Sequence, residues 1–117
     1  MHARQILGRA GEQAAARLLA GMGFSVVDTN WRCPGGEMDL VACKGSLVVF
    51  CEVKTRKTDS YGIPAEAVGW SKQQRLRRIA RQWLADNRAG PVEVRFDVVS
   101  VIVRDGRAEL THIPGAF

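Results

Sequence analysis

The run Leu47-Val48-Val49-Phe50-Cys51 is apolar at every position, the signature of a strand buried on both faces. Around it the pattern alternates between helical and extended periods. Leu7, Gly11, Ala14, Leu18 and Met22 recur every three or four residues and predict a helix over 4–21 that ends at Gly21 and Gly23. A strand over 24–29 follows, then a loop over 30–36 containing Pro34-Gly35-Gly36. Strands over 37–43 and 47–54 are joined around Lys44-Gly45-Ser46. Residues 55–70, with Gly62, Pro64 and Gly69, read as a loop long enough to work over a site. A second helix spans 72–87, with a capping box of Ser71 and Gln74 and a core face of Leu76, Ile79, Ala80, Trp83 and Leu84. Strands over 92–103 and 107–113 flank the hairpin dipeptide Asp105-Gly106. The order α-β-β-β-α-β-β predicts an α/β fold in which helices flank a mixed β-sheet. The helical crossover should make the third and fourth strands parallel.

The buried run exits through Glu52-Val53-Lys54. A two-residue turn at Gly45-Ser46, with Gly first as a type II′ turn prefers, would pair residues whose numbers sum to 91. Asp39 then faces Glu52 and Glu37 faces Lys54, each pair about 5 Å apart at Cβ. Two opposed carboxylates need a proton, a basic side chain or a metal between them. Two readings stay open. One is a cross-strand salt-bridge patch, with Lys54 on Glu37 and Asp39 held by an arginine. The other is an all-oxygen site for Mg²⁺ or Mn²⁺, held by Asp39, Glu52 and the carbonyl of Val53, with Lys54 beside the attacking water of a phosphodiester hydrolysis. Glu12, among Ala15, Ala16 and Leu19, is either part of such a site or an exposed partner of Arg9.

Composition narrows the partner. Among 117 residues, 17 Lys and Arg against 12 Asp and Glu give a net charge of +5, which favours a polyanion such as nucleic acid. The second helix carries Lys72, Arg75, Arg78 and Arg81, with Arg56 and Lys57 just upstream. These six form either a phosphate-tracking surface or a solvated basic face. Such contacts would recognise shape rather than sequence. Trp31, Tyr61 and Trp70 are candidates for base stacking or for the core. Cys33, Cys43 and Cys51 include no C-x-x-C and read as reduced thiols. No apolar leader core or membrane-length stretch occurs, so the expectation is a cytoplasmic protein without a membrane partner. Arg95 and Asp97 read as a buried pair supporting the site. His2 and His112 stand alone and attract no assignment.

Gly36-Glu37-Met38-Asp39-Leu40 followed by Glu52-Val53-Lys54 resembles the PD-(D/E)xK nuclease signature, here without the Pro. Adding Gly8-Arg9-Ala10-Gly11-Glu12, Asn30-Trp31-Arg32, Phe50 through Arg56 and Arg95-Phe96-Asp97-Val98-Val99, nearly the whole chain resembles the YraN-like family of predicted endonucleases. That family is similar in turn to archaeal Holliday-junction resolvases. The resemblance implies a single endonuclease-like domain over 1–117 with a restriction-endonuclease-like three-layer core. It also implies catalytic roles for Glu12, Asp39, Glu52 and Lys54, one or two Mg²⁺ or Mn²⁺ ions, and DNA, including branched DNA, as substrate. By analogy with the resolvases it implies a homodimer. The alternative is a nucleic-acid-binding protein that keeps the fold without catalysis.

Overall fold

Continuous apolar runs bury the central strands on both faces of the sheet. The computed structural model describes residues 3–57 and 68–117. Its elements are α1 (Ala3–Gly21), β1 (Ser25–Cys33), β2 (Gly36–Lys44), β3 (Leu47–Arg56), α2 (Trp70–Asp86), β4 (Glu93–Arg104) and β5 (Arg107–Ile113). They form one five-stranded sheet in the order β1-β2-β3-β4-β5. The expected crossover holds, since β3 and β4 are parallel from Leu47/Glu93 to Arg56/Ile102 and every other pair is antiparallel.

Two apolar cores lie on opposite faces of this sheet. Val48, Phe50, Phe96 and Val98 pack with Leu76, Ile79, Ala80 and Trp83 of α2. Val49, Cys51, Val53, Val99 and Val101 pack with Ala15 and Leu19 of α1. The molecule is therefore a three-layer α/β/α sandwich. The α2 core face matches the periodicity. For α1 the buried line is Gly11, Ala15 and Leu19, whereas Met22 is exposed. The stripe through Ala14 and Leu18 was displaced because α1 sits very close to β3. A Cβ at Gly11 would overlap the Thr55 hydroxyl, so a residue without a side chain defines the contact line.

Both tight hairpins behave as their sequences require. Lys44 pairs with Leu47, Gly45 takes φ +59° and Ser46 lies outside the positive-φ region, consistent with the expected turn. Asp105 and Gly106 both take positive φ, 48° and 74°, as a type I′ turn demands.

Other boundaries differ from the sequence reading. The loop expected over 30–36 is mostly strand. β1 runs on to Cys33, and only Pro34 and Gly35 separate the Cys33/Gly36 pair. Trp31 and Cys33 pack against the α2-side core, and that burial outweighs the turn signal of the local sequence. All three cysteines consequently lie in strands, and all are free. The capping box does not form. α2 begins at Trp70 with Gly69 as a cap that has no side-chain bond, leaving Ser71 inside the first turn. β3 continues to Arg56, and residues 58–67 of the expected long loop, including Tyr61, lie outside the described residues.

Candidate functional site

The chemistry gathers where β2 stops pairing with β3. Their ladder follows the predicted register from Lys44/Leu47 to Leu40/Cys51 and then ends. One residue further, β2 changes face. Met38 belongs to the α2-side core and Leu40 to the α1-side core, so simple alternation fails at Asp39. Opposite it in β1, Asn30 adopts φ +50°. The two strands turn together at this point, and the Asp39 carboxylate takes the place of a backbone partner by accepting the Val53 N–H at 2.8 Å. In an extended strand the N–H and C=O of one residue point the same way, so the Val53 carbonyl faces the same gap.

This kink corrects the paired-face geometry drawn from the register. Glu37 does not oppose Lys54. It turns toward β1 and meets Arg32, Nε to Oε2 at 3.3 Å. The carboxylate oxygens of Glu12, Glu37 and Asp39 lie within 4.8 Å of one another, although Glu12 comes from α1. Glu12 is half-buried there, and among the described residues it forms no ion pair with Arg9. Glu52 points to the other face, as does Lys54, whereas Cys51 belongs to the α1-side core. The Glu52 carboxylate is largely buried and accepts from Lys72 Nζ at 2.8 Å. Lys72 is thereby tied into the site rather than lying on an outer basic face.

The electrostatics follow from this crowding. Asp39 is pushed up from 3.8 to about 7, first by burial and then by Glu52, with Glu12 and Glu37 adding to it; the Val53 N–H pulls the other way. Burial lowers Lys54, and the neighbouring Lys72 ammonium adds to this by charge and by hydrogen bonding, against an opposing pull from Glu52. A cleft of about 270 Å³ connects Glu37, Asp39, Glu52, Lys72 and Arg75.

The remaining candidates separate. Arg75, Arg78, Arg81 and Lys57 are exposed, and Arg56 is half-buried. Trp31 belongs to the core edge, whereas Trp70 is 73% exposed at the start of α2. The Arg95–Asp97 pair forms, but its other bonds run to β5 and the turn after it. Asp97, fully buried, accepts from Arg95 at 2.8 and 2.9 Å and from Gly115 N at 3.0 Å, and sits 2.7 Å from His112 Nε2. His112 was invisible as a partner because it lies fifteen residues away in sequence. Only the β4–β5 register, which pairs Val99 with His112, brings it near. Trp83 also finds an unforeseen partner, donating to Asp28 at 2.7 Å.

The fold and site define a small α/β/α domain with acidic side chains converging at one end of a mixed sheet. The profile of the uncharacterised protein family UPF0102 matches residues 11–101, and the chain belongs to that family. It is 49% identical over 116 residues to a UPF0102 protein of Beutenbergia cavernae, covering 98% of each chain. Similarity to UPF0102 proteins of Frankia casuarinae, at 49% over 118 residues and the full length of both, and of Streptomyces griseus, at 50% over 98% of each, is equally extensive. Among the described residues no helix is long and apolar enough to cross a membrane.

Proposed function

We propose that this protein is a metal-dependent phosphodiesterase that cleaves DNA, on a restriction-endonuclease-like core. The observation that carries the reading is the convergence of Glu12, Glu37 and Asp39 at a strand kink, with a proton affinity at Asp39 raised first by burial and then by the neighbouring carboxylates. The donor set suits a hard divalent ion such as Mg²⁺ or Mn²⁺, because every available ligand atom is oxygen and none is imidazole or thiolate. Asp39, Glu12 and Glu37 would hold it, with the Val53 carbonyl adjacent. Glu52 joins them only by exchanging its partner Lys72. When bound, such an ion neutralises a phosphodiester and makes a water easier to deprotonate.

The chain's own contribution is positioning. The Val53 N–H fixes the Asp39 carboxylate. Lys54, whose lowered proton affinity makes its neutral form more accessible, stands beside Glu52 and Lys72 and can orient water or return a proton to the leaving oxygen. Lys72 and Arg75 line the cleft as phosphate contacts, with the exposed Arg78, Arg81 and Lys57 and the half-buried Arg56 beyond it. Hydrolysis then adds water across one P–O bond, leaving a phosphomonoester and a hydroxyl.

Cleavage of labelled linear, single-stranded and four-way DNA in Mg²⁺ or Mn²⁺ tests the reading. Asp39→Asn, Glu52→Gln and Lys54→Ala are each expected to lower the rate by about two orders of magnitude or more. Activity that survives Glu52→Gln and Lys54→Ala overturns the assignment. The Glu52–Lys72 ion pair favours a second reading, a DNA-binding protein without catalysis, because it engages a carboxylate that the nuclease reading needs. That protein would bind DNA in a salt-dependent way, indifferent to Glu52→Gln.

A further inference from the structure

A second cleft lies beside the first, on the α1 side of the sheet. It holds about 370 Å³ and is lined by Gln5, Arg9, Glu12, Asn30, Arg32 and Glu37. Glu37 also lines the α2-side cleft with Asp39, Glu52, Lys72 and Arg75, so the two hollows meet at the end of the β1–β2 hairpin. Each has acidic groups where it meets the other and two cationic side chains: Arg9 and Arg32 on one side, Lys72 and Arg75 on the other. Arg32 engages Glu37 through Nε, which offsets that carboxylate and leaves the rest of its donor fork for another acceptor. Its side chain is 79% exposed. Asn30, held at φ +50°, places a donor–acceptor amide on the same wall.

We propose that the Arg9–Arg32 cleft is a second backbone-phosphate subsite, and that the ligand is an unpaired polynucleotide strand passing around the hairpin end from one cleft to the other. The inference deepens the nuclease reading and rests on it for the class of ligand. A mononucleotide fills one hollow and leaves the other pair of cations unused. A duplex is stiff over about 150 base pairs and cannot turn around the end of one hairpin. A single strand bends freely, and its phosphates meet a cationic pair on each side of the carboxylates. Single strands, flaps and unpaired branch arms all present this shape.

The test reads binding rather than cleavage, by fluorescence anisotropy of a labelled dT 12-mer across a salt series in Ca²⁺, a hard cation that oxygen ligands accept. Removing two phosphate contacts from a single strand is expected to flatten the plot of log K against log salt by about 1.4 in Arg9→Ala/Arg32→Gln. Arg9→Ala alone should give about half of that. Arg17→Ala, an exposed position two turns further along α1, should leave the slope unchanged. Thermal melts establish that each variant is folded. An unchanged slope in the double variant overturns the subsite, as does an arginine effect seen with duplex but not with dT. The expected arginine dependence without any cleavage in the separate assay upholds the subsite and removes the nuclease reading.

Discussion

Asp39 combines two demands that oppose each other. Its backbone partner at Val53 favours the anion, while burial and three neighbouring carboxylates favour the acid, and the acid wins up to about pH 7. The folded state therefore binds a proton that the unfolded chain, with an ordinary value of 3.8, releases earlier. The stability associated with this group is complete below about pH 4 and is lost as pH rises through 7. Asparagine keeps an acceptor for Val53 but cannot ionise. Asp39→Asn should therefore be more stable than the parent at pH 8, by roughly 1–3 kcal/mol once solvent access to the half-buried carboxylate is allowed for. The difference should vanish near pH 4, and urea titrations at the two pH values measure it. If the parent is the more stable at pH 8, the crowding argument fails.

At the scale of elements, the close approach of α1 to β3 decides where Glu12 sits. Gly11 touches Thr55, and one residue later Glu12 reaches the carboxylates of β2. Gly11→Ala would ordinarily favour a helix by about 1 kcal/mol. Here the added methyl must push the helix away from the strand. A net loss of about 1–3 kcal/mol is expected, typical of overpacking. A Thr55→Ala background should recover part of it in a double-mutant cycle read by denaturant melts. Much of this arrangement was legible in the chain. The buried run of β3 fixed the central strand, Gly45-Ser46 set the hairpin register, and the apolar period of α2 gave its core face. The continuation of β1 through Trp31 was not legible, because burial against α2 is a long-range effect that Pro34-Gly35-Gly36 masks locally. Nor was the kink at Asp39. A period-two pattern assigns faces by counting, and a strand that changes face breaks the count without any marker except Asn30 on its neighbour. The four acidic residues were found, but their grouping was not: Glu37 joined the cluster and Glu52 paired with Lys72.

For the whole molecule, the Asp97 network holds the last part of the chain to the sheet. Burial alone would raise this carboxyl, but the hydrogen bonds from Arg95, His112 and Gly115 outweigh it and hold the group below the usual range. Its contribution is therefore present above the ordinary carboxylate value and lost as pH falls through the folded one. Asp97→Asn should cost about 1–3 kcal/mol at neutral pH, since a neutral amide replaces the anion that accepts from Arg95, His112 and Gly115. It should also remove much of the parent's steepening loss of stability below pH 4, as followed by circular dichroism during acid titration. Because these bonds join β4, β5 and the following turn rather than the acidic cluster, the proposed DNA binding should weaken at neutral pH only as far as folding does.

The bond from Val53 to Asp39 has a spectroscopic consequence. Most amides in the middle of a sheet report on a neighbouring strand, but this one reports on the charge of a single carboxylate. Its NMR resonance is a built-in electrode at the centre of the site. It should titrate with Asp39, and under the proposed function a divalent cation added to the unmodified protein should move it again.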